Sequence, residues 1–179
     1  MGEHKDMIGG QIEVEIYTAS HRICGQVSPG ALGLFSYLNR PTESYLEIEQ
    51  GGLIPLHKIT QPEESCGEFW LIKKEIVAAL VRSRSMLGPS SAVRAGYTKP
   101  IPHLVRVHIA GYELCGYIQT GGRFNFGAFM FEGENIFVPL YDAQLSALLF
   151  PRVQAKAPAM VFKRSMVQAV SLLPREKNR

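Results

Sequence analysis

The sequence is poor in the residues that build disulfide frameworks, membrane spans and metal centres. Among its 179 residues are 3 cysteines, Cys24, Cys66 and Cys115, with no Cys-x-x-Cys spacing. Three separated thiols cannot all pair, and they fit a reducing compartment better than a disulfide scaffold. No apolar run reaches the roughly 18 residues of a spanning helix; the most apolar stretch, 135–150, is interrupted by Asp142 and Gln144. Residues 1–10 carry His4, Lys5 and Asp6 without the apolar centre of a secretory signal, and Asp6 breaks the myristoylation pattern, so a cytoplasmic location is expected. The five histidines, His4, His21, His57, His103 and His108, show no ligand spacing, and neither a metal nor another cofactor is expected. The chain has no GxxxxGK[ST], HExxH or GxSxG, and Gly121-Gly122 lacks the strand, helix and acidic residue of a dinucleotide loop. Nothing points to an enzyme.

What the chain does contain is enough apolar residue, 46% of the total, to exclude a disordered polymer and to fill one ordinary domain or two small ones. Those residues recur. Residues 14–27 lie over 105–118 at a displacement of 91, matching Val14 with Val105, Ile16 with Val107, Cys24 with Cys115 and Gly25 with Gly116. Residues 71–80 lie over 161–170 at a displacement of 90, which sets Lys73 against Lys163 and Lys74 against Arg164. A shorter match, 45–48 over 137–140, falls at 92. A period near 90 is too long for a solenoid unit and predicts two tandem copies of one small domain. Between them, residues 82–102 are rich in Ser, Gly, Pro and cations without an apolar period. The expected division is a first domain over 1–82, a linker over 83–102 and a second domain over 103–179.

Each copy reads mainly as strands. Ile12, Val14 and Ile16 alternate with Glu13, Glu15 and Tyr17, the period of a half-buried strand, and Thr18-Ala19-Ser20 is the expected turn to its partner. Ile109-Ala110-Gly111 takes that place in the second copy. Gly25 and Gly116 stand inside the partner strands, where glycine marks a bend or close backbone approach. Leu32, Phe35 and Leu38 predict a short helix before Arg40-Pro41, whereas the glycine-rich 121–127 gives little helical support, so the copies are expected to diverge there. Apolar runs at 45–48, 53–56, 69–72 and 76–81 supply further short strands. The fold class expected is mainly β: two tandem small barrels, each with one short helix or turn at most.

These motifs resemble the Sm-like small β-barrel, a relative of the SH3-like barrels, as found in bacterial proteins carrying one or two such units. Ile23-Cys24-Gly25-Gln26-Val27 and Leu114-Cys115-Gly116-Tyr117-Ile118 are similar to the core of the first Sm motif. Residues 71–77 and 161–167, where two apolar residues precede a cation and a tight turn, are similar to the second. The resemblance implies RNA binding in oligomeric rings through an Asp-x-apolar-x-Asn loop and a cation-Gly turn. The sequence departs from both: no such loop follows the first motif, and Lys74 and Arg164 replace the turn glycine.

The candidate nucleic-acid contacts are Lys73, Lys74, Lys163 and Arg164 at the two turns, with Arg123 and Phe124 from an aromatic, cationic segment of the kind that binds single strands. Against them stand ordinary readings, a solvated turn and a core aromatic. Charge is uneven: residues 1–89 hold 8 Lys+Arg and 11 Asp+Glu, residues 90–179 hold 11 and 5, and Glu15 and Arg22 align with Arg106 and Glu113. Acidic and basic halves are thus expected to dock, within one chain as a pseudo-dimer or between chains as a homo-oligomer. The leading expectation is a non-enzymatic binding or assembly protein engaging a protein partner or itself, with no membrane. RNA or single-stranded nucleic-acid binding by the basic half is the alternative, and a small ligand in the cleft between barrels a third.

Overall fold

The computed structural model describes residues 10–89 and 99–174. Residues 90–98, most of the latter part of the expected linker, and His4 lie outside the described residues.

The mainly β expectation holds. Ten strands form one continuous antiparallel sheet that does not close: β1 (Ile12–Tyr17), β2 (His21–Val27), β3 (Tyr45–Pro55), β4 (Glu64–Ile72), β5 (Ala78–Val81), β6 (Ile101–Ile109), β7 (Tyr112–Thr120), β8 (Phe137–Ala147), β9 (Gln154–Lys163) and β10 (Val167–Leu172). Their order across the sheet is β10-β6-β7-β8-β9-β5-β1-β2-β3-β4. The same succession of five, last strand first and then the other four in sequence, is therefore traversed twice. Each block has a 3-10 turn before its last strand, Lys73–Glu75 and Arg164–Met166.

Strand register corrects the alignment of the second block. Val14 faces Gly25 as Val105 faces Gly116, and Val14 faces Val81 as Val105 faces Leu172. All of these displacements are 91, and so is that between the two 3-10 turns. The displacement of 90 followed residue identity, which short apolar runs supply by chance. In the sheet Lys73 corresponds to Arg164 and Ile72 to Lys163.

The hairpins form where expected. Thr18-Ala19-Ser20 joins β1 to β2, and Ala110 and Gly111 turn with φ of 43° and 85°, the left-handed pair of a tight two-residue hairpin. Gly25 and Gly116 sit at register shifts in β2–β3 and β7–β8. A Cβ on Gly116 would lie 2.8 Å from the Tyr141 carbonyl oxygen, so close strand approach fixes that glycine.

Two helical expectations change. Helix α1 (Gly33–Leu38) forms within the expected segment and buries Leu34, Phe35 and Leu38, whereas Leu32, expected on its apolar face, lies just before it and is exposed. Arg84–Leu87, inside the segment read as linker, is a one-turn helix, α2, with Ser83 as its cap and Leu87 fully buried. The second block also has a helix, α3 (Phe126–Phe131). Asn125 caps it by accepting a bond from the Ala128 N–H at 3.0 Å, a local signal that outweighs the glycines around it.

The apolar residues gather into two clusters, and each draws on both halves of the chain. Ala78, Leu80, Met160 and Phe162 enter the cluster with Val105, Val107, Leu114 and Leu145; Ala79, Val81, Ala159 and Val161 enter the one with Val14, Ile16, Leu34 and Ile48. The alternation of β5 and β9 is thus buried on both faces.

Candidate functional site

The joint between the halves is the pairing of β5 with β9, in which Ala78 faces Phe162, Ala79 faces Val161, Leu80 faces Met160 and Val81 faces Ala159. All eight residues are buried. Side chains reinforce this seam. Lys163 Nζ donates to the Lys74 carbonyl oxygen at 2.7 Å, and the Lys163 N–H to the Val77 carbonyl at 3.0 Å. Asn39 clasps the backbone of Phe137, accepting from its N–H at 2.8 Å and donating to its carbonyl at 3.2 Å. The Tyr112 hydroxyl donates to the Thr18 carbonyl at 2.6 Å, with the Tyr17 ring edge-on at 5.9 Å. In the sequence Leu38-Asn39 reads as a turn, and an Asn after a helix usually marks a C-terminus; its long-range bonds have no sequence signature.

The expected docking of acidic against basic surface is not how the halves meet. Glu15 pairs with Arg22 at 2.9 Å inside the β1–β2 hairpin, and Arg106 with Glu113 at 3.5 Å inside β6–β7. The inverted charges are one cross-strand ion pair written in both senses. Apolar strand pairing joins the halves instead, with Arg84–Asp142 at 2.8 Å across them.

The same succession leaves β4 and β10 at the two margins of the sheet. They correspond to β9 and β5, the strands of the seam, but are uncovered. Trp70 is 59% exposed and Leu172 54%, whereas Val161, the counterpart of Trp70, is wholly buried. Ile72 on β4 and Tyr45 on the adjoining β3 add to the apolar exposure.

The six predicted contacts do not form one surface. Lys73 is buried, its Nζ donating to the carbonyls of Tyr37 at 2.9 Å and Arg40 at 3.5 Å beside the Tyr37 ring. Burial lowers its pKa below the usual lysine range. Lys163 is likewise buried and lowered, its ammonium committed to the seam. Lys74 is exposed, 3.9 Å from Glu75. Arg164 donates Nη1 to the Gly133 carbonyl at 3.1 Å, and burial lowers its pKa. Arg40 and Gly133 each lie two residues beyond their helix, so Lys73 and Arg164 fasten equivalent loops. Arg123 is exposed and shares a cavity with Arg164. Phe124 packs between His103, at 5.8 Å, and Phe129, at 5.5 Å.

Two cavities adjoin these elements. One of about 470 Å³ lies over the seam, bordered by Glu15, Arg22, Cys24, Glu63, Arg82 and Lys156. Its Arg22 bonds Glu15 and Glu63, Arg82 bonds Glu13, and burial pushes the Cys24 thiol up to about 12, so both arginines are paired and that thiol stays protonated near neutrality. The other, of about 410 Å³, lies in the second half between α3, the Gly121-Gly122 loop and Arg164. Among the described residues no three His, Cys, Asp or Glu side chains are grouped to hold a metal, and no helix is long and apolar enough to cross a membrane.

The fold and its margins thus define a mainly β protein with one open-ended sheet. No protein-family model, curated protein or solved structure matches this chain.

Proposed function

We propose that this protein is a non-enzymatic assembly module of two tandem small barrels, Sm-like or SH3-like in kind, that joins to further copies of itself through β4 and β10. The observation carrying this reading is the seam. The chain already holds β5 against β9, and β10 and β4 are the strands that correspond to them. Shifting the seam by 91 residues sets Ala169 of one chain opposite Leu71 of the next, Val170 opposite Trp70 and Ser171 opposite Phe69. Such a contact is heterologous, head to tail, and forms either rings or filaments. It also gives partners to two strand edges that would otherwise invite indiscriminate pairing. Nucleic-acid binding has less support, because Lys73 and Lys163 spend their ammonium groups on backbone carbonyls.

Light scattering on the intact chain after size exclusion tests this. Trp70→Lys and Ala169→Lys alter exposed positions, so each variant should stay folded and run as a monomer where wild type runs as an oligomer. A wild type that is monomeric at every concentration, or variants that assemble as it does, would overturn the reading. Co-purifying nucleic acid, seen in the absorbance ratio at 260 and 280 nm and confirmed by salt-dependent filter binding, would favour the alternative.

A further inference from the structure

Arg164 differs from its counterpart in a way that fold does not require. Lys73 is satisfied by two carbonyl oxygens and the Tyr37 ring. Arg164 has the Gly133 carbonyl on Nη1, while its Nε, buried, has no partner among the described residues. A buried donor without an acceptor is uncommon in native proteins and costly to keep. No carboxylate among the described residues lies within ion-pair distance of this guanidinium; Glu132 borders the same cavity but is exposed.

The cavity beside Arg164 has the size and lining of a ligand site. Its volume of about 410 Å³ falls within the range of small-molecule pockets. Ile118, Phe129 and Val138 give it apolar wall, and Thr120, Asn125 and Asn135 give it polar groups. Its glycine loop is held in place: Thr120 Oγ1 donates to the Gly122 carbonyl at 2.6 Å, and the His103 ring nitrogen lies 2.9 Å from Thr120 Oγ1 and 3.1 Å from that carbonyl.

We propose that this cavity binds a small organic anion, a carboxylate or phosphate monoester with an apolar body, whose head group is taken by the Arg164 guanidinium, a cation that borders the cavity without a carboxylate partner among the described residues. The planar fork of arginine suits both head groups, and the apolar wall accommodates the body. This site stands apart from the sheet margins and does not depend on self-assembly.

The test uses the intact chain with benzoate, phenyl phosphate and the neutral benzamide, followed by saturation-transfer NMR and titration calorimetry. One or both anions should bind, benzamide at least tenfold more weakly, and the preferred anion identifies the head group. Arg164→Met should reduce anion binding to the level of benzamide. Should that variant fail to fold, as judged by its melting curve, Ala128→Phe, which keeps Arg164, fills the cavity and should abolish binding. The proposal is overturned if neither anion binds, if benzamide binds as well as the anions, or if a folded variant binds as well as wild type.

Discussion

Lys163 reaches across the seam to the carbonyl oxygen of Lys74, 2.7 Å away, so one lysine serves the other through its main chain alone. The ammonium of Lys74 itself points to solvent beside Glu75. The two residues should therefore respond oppositely to truncation. Lys163→Met is expected to cost about 1–3 kcal/mol, the range for losing a charged donor from a part-buried hydrogen bond. Lys74→Ala should stay within about 0.5 kcal/mol. Urea denaturation of the two variants checks this.

Tyr112 makes the chain sensitive to alkali. Burial raises its pKa well above the ordinary tyrosine value, and burial together with its bond to Glu15 does the same for Tyr17. The unfolded chain loses these protons near pH 10, and the folded one retains them. Stability is then complete below about pH 10 and falls as the pH rises beyond it. In Tyr112→Phe the alkaline decline should be shallower, while stability at neutral pH drops by about 1 kcal/mol because the Thr18 carbonyl loses its donor. Melting temperatures from pH 7 to 11 for both proteins would show equal slopes if this account were wrong.

Close packing at the strand bends predicts a contrast between two glycines. A methyl group on Gly116 would meet the Tyr141 carbonyl oxygen at 2.8 Å and Leu140 Cγ at 2.9 Å, and backbone cannot move aside cheaply. Gly116→Ala is expected to destabilise by about 1–3 kcal/mol. Gly122 has nothing within 4 Å of such a group, and Gly122→Ala should stay within about 0.5 kcal/mol. Thermal unfolding measures both.

Thiol chemistry gives a third readout. Cys66 is exposed on β4, whereas Cys24 has its thiol pKa pushed up to about 12 by burial. At pH 8 a thiol-directed disulfide reagent should modify Cys66 quickly and leave Cys24 untouched until the chain unfolds. A bulky adduct on Cys66 should also weaken self-association, since it sits on the open β4 margin. Peptide mapping after timed labelling, with sizing of the labelled protein, reads both effects.

The sequence revealed strand content, both glycine bends and the first helix, because alternation, turn chemistry and helical spacing are local properties. It misplaced Lys163 against Lys73, since identity between short apolar runs cannot distinguish registers one residue apart; hydrogen bonding between strands does. It passed over α3 because the Asn125 cap stands among glycines, and α2 because one turn is too short to show a period. The seam was legible only as a pair of apolar runs: that Ala78 to Val81 should meet Ala159 to Phe162 depends on contacts some 80 residues apart. The inverted charges were visible, but their partners lay seven residues away in the same hairpin rather than in the other half.

β5 has only four residues, the fewest of any strand in the sheet, and no solvent face. Exposing its amides requires parting it from β1 or β9 and opening both apolar clusters together. Hydrogen exchange at residues 78–81 is then governed by global unfolding rather than by fraying, and the shortest strand becomes the slowest to take up deuterium.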